Sequence, residues 1–96
     1  MAYSLSRKAE DDVIEIYVAG VAAFGFDQAE RYHDGLERAF VFLSDFPLAA
    51  PKRAELKGSS RVHPYRSHII VYRLDGADVL IQRVRHASED WLERPI

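Results

Sequence analysis

Apolar residues along this chain keep two different rhythms: they recur at steps of three and four from Ala9 to Leu43, then crowd into short β-branched and aromatic runs between Arg61 and His86. The first spacing is the repeat of a helix face, and the second pattern belongs to strands. The chain must therefore bury amphipathic helices against a sheet, an α+β arrangement. Breakers fix the joints. Ser6, whose hydroxyl can accept from an unpaired backbone N–H, caps a first helix that begins near Arg7. Its face is Ala9, Val13, Ile16, Tyr17, Val21 and Phe24, and Gly25 stops it by taking the left-handed conformation without a Cβ clash. Asp27 with Glu30 forms an Asp-x-x-Glu start signal for a second helix of about 18 residues. Ala29, Tyr32, Leu36, Ala39 or Phe40, and Leu43 supply its stripe, and Phe46-Pro47 ends it. At 1.5 Å per residue each helix would be about 27 Å long.

Residues 2–5 read as a short strand ahead of the hairpin of helices. After a loop from Pro47 to Ser60, Arg61–Tyr65 forms a strand weakened by Pro64, which is best tolerated at an edge or a bulge. His68–Leu74 is the strongest strand, Asp75-Gly76 signals a hairpin, and Asp78–His86 returns. Strict alternation sets Ile69 and Val71 against Ile70, Tyr72 and Leu74, and sets Val79 and Ile81 against Leu80 and Val84. One sheet face packs on the helices, and the other needs cover from the tail, a second subunit or a partner chain. Ser88–Arg94 forms a short turn with Trp91 folding back. The expected order is β-α-α-β-β-β, a helical hairpin on a small, largely antiparallel sheet, in a single domain spanning 1–96.

Helix one carries a second apolar line, Ile14, Val18 and Ala22. It either widens the core contact or edges a groove that a partner segment covers. Charge is unevenly placed: residues 1–46 hold four Lys/Arg against nine Asp/Glu, and residues 47–96 hold nine against six. The basic half either faces an anionic partner or is a locally neutralised surface. Both helices are acidic outside, and there is no helix-turn-helix pattern or basic arm, so direct sequence-specific DNA binding is not expected. There is no cysteine, no signal-peptide run and no apolar stretch near the roughly 20 residues that span a membrane, which points to a cytoplasmic protein. The four histidines show no metal-ligand spacing, and neither metal nor cofactor is expected.

Leu5-Ser6-x-x-Ala9-x-x-Asp12, Gly25-x-x-x-Ala29-x-x-Tyr32-x-x-x-Leu36, Phe46-Pro47, Glu55-Leu56, Arg61-x-His63-Pro64, His68-x-Ile70-x-Tyr72-Arg73 and Ile81-x-Arg83-Val84-x-His86-x-x-x-Asp90-Trp91 follow one another in order. Together, over residues 3–91, they resemble the RelE/ParE toxin superfamily. The resemblance implies a toxin neutralised by a cognate antitoxin that wraps it. ParE-like members are associated with poisoning DNA gyrase, RelE-like members with ribosome-dependent cleavage of mRNA.

Metal-free RNA cleavage needs a base for the 2′-hydroxyl, cations for the phosphorane and an acid for the leaving oxygen. Lys52, Arg53, Lys57, Arg61 and Arg83 could meet a phosphate, and His86 is of the right type for proton transfer, so a nuclease would rest on Arg61, Arg83 and His86. Trp91, however, stands where the resemblance to RelE-like toxins implies a catalytic tyrosine, and an indole N–H donates a hydrogen bond without exchanging its proton in catalysis. The terminus looks more like ParE. The expectation is a non-enzymatic gyrase inhibitor held by a ParD-like antitoxin, with no catalytic residues. Arg83, His86 and Trp91 would contact the target. Ile14, Val18, Ala22, Arg83 and Arg85 would contact the antitoxin. Arg66 stands where the resembling segment often has glycine, and Ser88-Glu89 follows His86 where ParE-like chains often carry another basic residue.

Overall fold

The computed structural model describes residues 2–53, 56 and 59–89. The elements follow the expected order: β1 (Tyr3–Leu5), α1 (Arg7–Phe24), α2 (Phe26–Asp45), β2 (Arg61–Tyr65), β3 (His68–Asp75) and β4 (Asp78–His86). Two helices pack on a four-stranded sheet of order β1-β4-β3-β2. β4, β3 and β2 are antiparallel neighbours, whereas β1 lies parallel to β4, with Tyr3 opposite Val79 and Leu5 opposite Ile81. The sheet is thus mixed at its β1 edge. No turn joins β1 to its neighbour, and local periodicity carries no record of such a distant pairing. Pro64 sits on the edge strand β2, where its missing N–H breaks no central ladder.

Local signals set the joints. The Ser6 hydroxyl accepts from the Ala9 N–H at 3.1 Å, starting α1, and donates to the Gln82 carbonyl at 2.8 Å, tying that start to β4. Gly25 has φ +90°, and its N–H closes α1 on the Val21 carbonyl at 3.0 Å. The same residue opens α2, which begins at Phe26 without a side-chain cap. The Asp27/Glu30 capping signal is therefore not used: one glycine reverses the chain, and Glu30 instead accepts the Tyr17 hydroxyl at 2.7 Å across the hairpin. Tyr17 also meets Phe26 and His33 edge-on, so it clamps the two helices together.

The core lies between α2 and the sheet. Leu36, Phe40 and Leu43 pack with Ala9 against Ile70, Tyr72, Val79, Ile81 and Val84. Each large side chain so buried is worth about 1.5–3 kcal/mol. The set departs from strict alternation, because a bulge in β4 pairs Val71 with Arg83 but Tyr72 with Ile81 and leaves Gln82 unopposed. Ile81 and Val84 therefore share the helix-facing side, where period-two counting separates them. On the other face, Leu56 packs with Val62, Ile69 and Val71. That surface is covered in part by the chain's own α2–β2 loop. The Tyr72 hydroxyl holds this loop, donating to the Pro47 carbonyl and accepting from the Ala50 N–H.

The open alternatives for Ile14, Val18 and Ala22 resolve outward: Ile14 is 61% and Val18 60% exposed, and Ala22 is also exposed. α1 buries only Ala9 and Asp12 fully.

Gly35 in α2 lies against the Tyr65 hydroxyl, and a Cβ built there would overlap that oxygen. Gly35→Ala should push Tyr65 off its contact with the Tyr32 carbonyl and destabilise the chain by about 1–3 kcal/mol. Urea unfolding checks this, and an unchanged midpoint would show that the close approach has no energetic role.

Candidate partner-binding groove

Between the helical hairpin and the far end of β3 and β4 lies a groove of about 700 Å³. α1 and α2 form one wall, with Gly20, Ala23, Phe24 and Tyr32. The β2–β3 turn and the end of β4 form the other, with Arg66, His68, Arg83 and His86.

Asp12 enters from α1 as a buried carboxylate. Its two oxygens take a bidentate grip from Arg83, Nε at 2.7 Å and the second guanidinium contact at 2.9 Å, and one also accepts the Val84 N–H at 3.0 Å. Pairing with Asp12 is the main influence raising the Arg83 pKa above the ordinary arginine range. The bulge presents Arg83 and the Val84 N–H to the same acid. Two residues on, Glu89 accepts the His86 N–H at 3.0 Å and receives Arg85 at 2.8 Å. The Arg85 pairing, followed by the His86 N–H, holds the Glu89 carboxyl below its usual range.

A chain of polar rings crosses the groove. The Tyr32 hydroxyl lies 2.6 Å from His68 Nδ1, and the His68 and His86 rings meet edge-on with centroids 5.2 Å apart. The Ser88 N–H donates to His86 Nδ1 at 3.1 Å, with the Ser88 hydroxyl 2.6 Å from the same nitrogen. A backbone N–H can only donate, so Nδ1 is the acceptor and the His86 proton sits on Nε2. Burial pushes the His68 imidazole below its ordinary 6.5, His86 adds to the effect and Glu89 opposes it. Burial likewise raises the Tyr32 hydroxyl above 10, against the Ser67 N–H and Arg66.

The candidate residues are thus only partly brought together. Arg83, Arg85 and His86 line the groove; Arg61 does not. Arg61 is 9% exposed and donates to the Ala50 carbonyl at 2.6 Å, a structural tie for the loop. The set Arg61, Arg83 and His86 is consequently not assembled around one point. Trp91, Lys57, Glu55 and Asp90 lie outside the described residues. Ile14, Val18 and Ala22 do not line the groove. Sequence reasoning missed Tyr32 and His68 as groove residues and Asp12 as the partner of Arg83; these join residues 36 and 71 positions apart, for which no local signal exists. Among the described residues, no group of three His, Cys, Asp or Glu could hold a metal ion, and no helix is long and apolar enough to cross a membrane.

Asp12→Ala would leave a largely buried guanidinium and an amide unpaired, and should cost about 3–5 kcal/mol. Asp12→Ala combined with Arg83→Met should recover part of that loss; a double-mutant cycle by urea unfolding measures it, and simple additivity would refute the coupling. For pH, the folded value of His68 lies below the unfolded 6.5, so its contribution is complete above 6.5 and is lost as pH falls through the folded value. Burial shifts His63 in the same direction. Stability should therefore fall from pH 7 to 5, and less steeply in His63→Gln/His68→Gln; parallel curves would contradict the assignment.

A family model described as "ParE toxin of type II toxin-antitoxin system, parDE" matches residues 3–91. Toxin ParE1 of Caulobacter vibrioides is 30% identical over 86 residues, spanning 90% of this chain and 88% of that protein. A solved structure described as "Chromosomal ParDE TA system from P. aeruginosa" superposes with a TM-score of 0.77 at 21% identity, covering 90% of this chain and 95% of its counterpart. The likeness in structure shows the fold, and the family match extends from β1 past the end of β4; on these grounds the chain belongs to the ParE toxin family of type II toxin-antitoxin systems.

Proposed function

We propose that the chain acts in the cytoplasm by binding DNA gyrase without enzymatic turnover, and that a ParD-like antitoxin neutralises it. The observation that carries the non-enzymatic reading is that the residues a nuclease would rest on, Arg61, Arg83 and His86, are tied to other groups and not gathered around one point. Arg83 is gripped by Asp12, His86 Nδ1 accepts from Ser88, and Arg61 is buried outside the groove. Strand cleavage needs a free base, an acid and cations around one phosphate, whereas binding needs only a shaped surface. Family membership and the ParDE likeness support an antitoxin as partner. The outward line Ile14, Val18 and Ala22 offers that partner an apolar face. Arg83 and Arg85 remain proposed contacts of the antitoxin, and Arg83, His86 and Trp91 of the target. The arginines would engage while holding Asp12 and Glu89. Operator DNA, if the complex binds it, would be read by the antitoxin.

Purified chain should block supercoiling by gyrase or trap cleaved DNA with it, and added antitoxin should relieve the effect; no effect at excess toxin would count decisively against gyrase as target. A ribosome-dependent endoribonuclease would instead cut mRNA within translated codons, an activity lost in His86→Ala or Arg83→Ala. A chain that merely pairs with its antitoxin would leave growth unchanged when induced alone.

A further inference from the structure

The sheet wall of the groove carries two imidazoles and three arginines. With Nδ1 of His86 accepting from Ser88, its Nε2 carries the proton. At His68, Nδ1 is engaged by the Tyr32 hydroxyl at 2.6 Å. Neither Nε2 has a hydrogen-bond partner among the described residues. His86 therefore presents an N–H to the groove, with the His68 ring edge-on beside it, which suits a hydrogen-bond acceptor.

Arg66 adds a charge to the same wall. Arg83 and Arg85, the other arginines lining the groove, are paired with Asp12 and Glu89, whereas Arg66 has no carboxylate partner among the described residues and lies over the Tyr65 ring at 5.8 Å. It also has φ +50°, a backbone conformation that glycine adopts more readily. A turn position suited to glycine is occupied by a long cation that lines the same groove as the two imidazoles, and such outliers point to use.

We propose that Arg66, His68 and His86 form a receptor for a single carboxylate carried on the antitoxin. This rests on the reading of the chain as a toxin restrained by an antitoxin. One guanidinium without a carboxylate partner among the described residues, in the same groove as the His86 N–H, matches one carboxylate. A nucleic acid brings a series of phosphates, and Glu15 on the α1 wall, with the acidic outer faces of both helices, repels such a series. Gly20, Ala23 and Phe24 opposite leave room for an apolar side chain beside the acid.

The test uses the full chain and the capped peptide acetyl-Ala-Glu-Leu-amide, followed through the imidazole nitrogen signals of His68 and His86. The peptide should shift both, and its glutamine counterpart should bind at least about tenfold more weakly, as expected for loss of a charge-assisted contact. Arg66→Gln should weaken the glutamate peptide about tenfold, and Arg66→Lys should restore most of the affinity. Equal binding of the two peptides, indifference to Arg66→Gln, or tighter occupation of the same signals by a single-stranded RNA oligonucleotide would overturn the proposal. If the titration fails while the wild-type chain still blocks supercoiling, only this receptor is lost; if the peptide binds as expected and supercoiling is untouched, the gyrase assignment falls and the receptor stands.

Discussion

The carboxylate of Asp12 fixes how the helical hairpin meets the sheet. α2 is held by three large apolar side chains, but α1 buries just Ala9 and Asp12 completely and turns Ile14 and Val18 to the outside. Partial burial of Val13 and Ile16 helps, yet hydrophobic contact of that sort is non-directional and permits sliding. Three hydrogen bonds to Arg83 and the Val84 N–H do not. They set the position of α1 along β4, and with it the width of the groove.

The bulge at Gln82 makes that grip possible. In a regular strand Arg83 and the Val84 amide would not sit together above one acid while Ile81 and Val84 both reach the core. Ser6 reinforces the site from the other side, its hydroxyl donating to the Gln82 carbonyl while capping α1. A single irregularity in β4 thus receives β1, the start of α1 and the middle of α1. The groove residues beyond it, His68 and His86, inherit their positions from the same register.

What the sequence disclosed follows the range of each interaction. Ser6, Gly25, Pro64 and Asp75-Gly76 act within a few residues of themselves, and each stands where it was expected. The parallel pairing of β1, the extra residue at Gln82 and the Tyr32–His68 contact depend on partners far along the chain, and no periodicity records them. Asp27 and Glu30 show the converse: a sound local signal, displaced because Gly25 reverses the chain first and Tyr17 takes the glutamate. The apolar line on α1 was legible as residues but not as orientation, since its direction depends on Asp12 anchoring the opposite side of the helix. Arg61 looked available for phosphate until the α2–β2 loop closed over it and Ala50 took its guanidinium.

β4 stops pairing with β1 after Ile81, which would ordinarily leave a run of backbone donors open to a neighbouring molecule. Here the Val84 amide is occupied by Asp12 and the His86 amide by Glu89, so the strand finishes in two negatively charged stoppers. A second copy attempting to extend the sheet along this margin would have to evict both acids and strand the arginines they hold. The margin is thereby protected against polymerisation without a covering helix, and only a polypeptide able to satisfy those arginines itself could take the place of the stoppers.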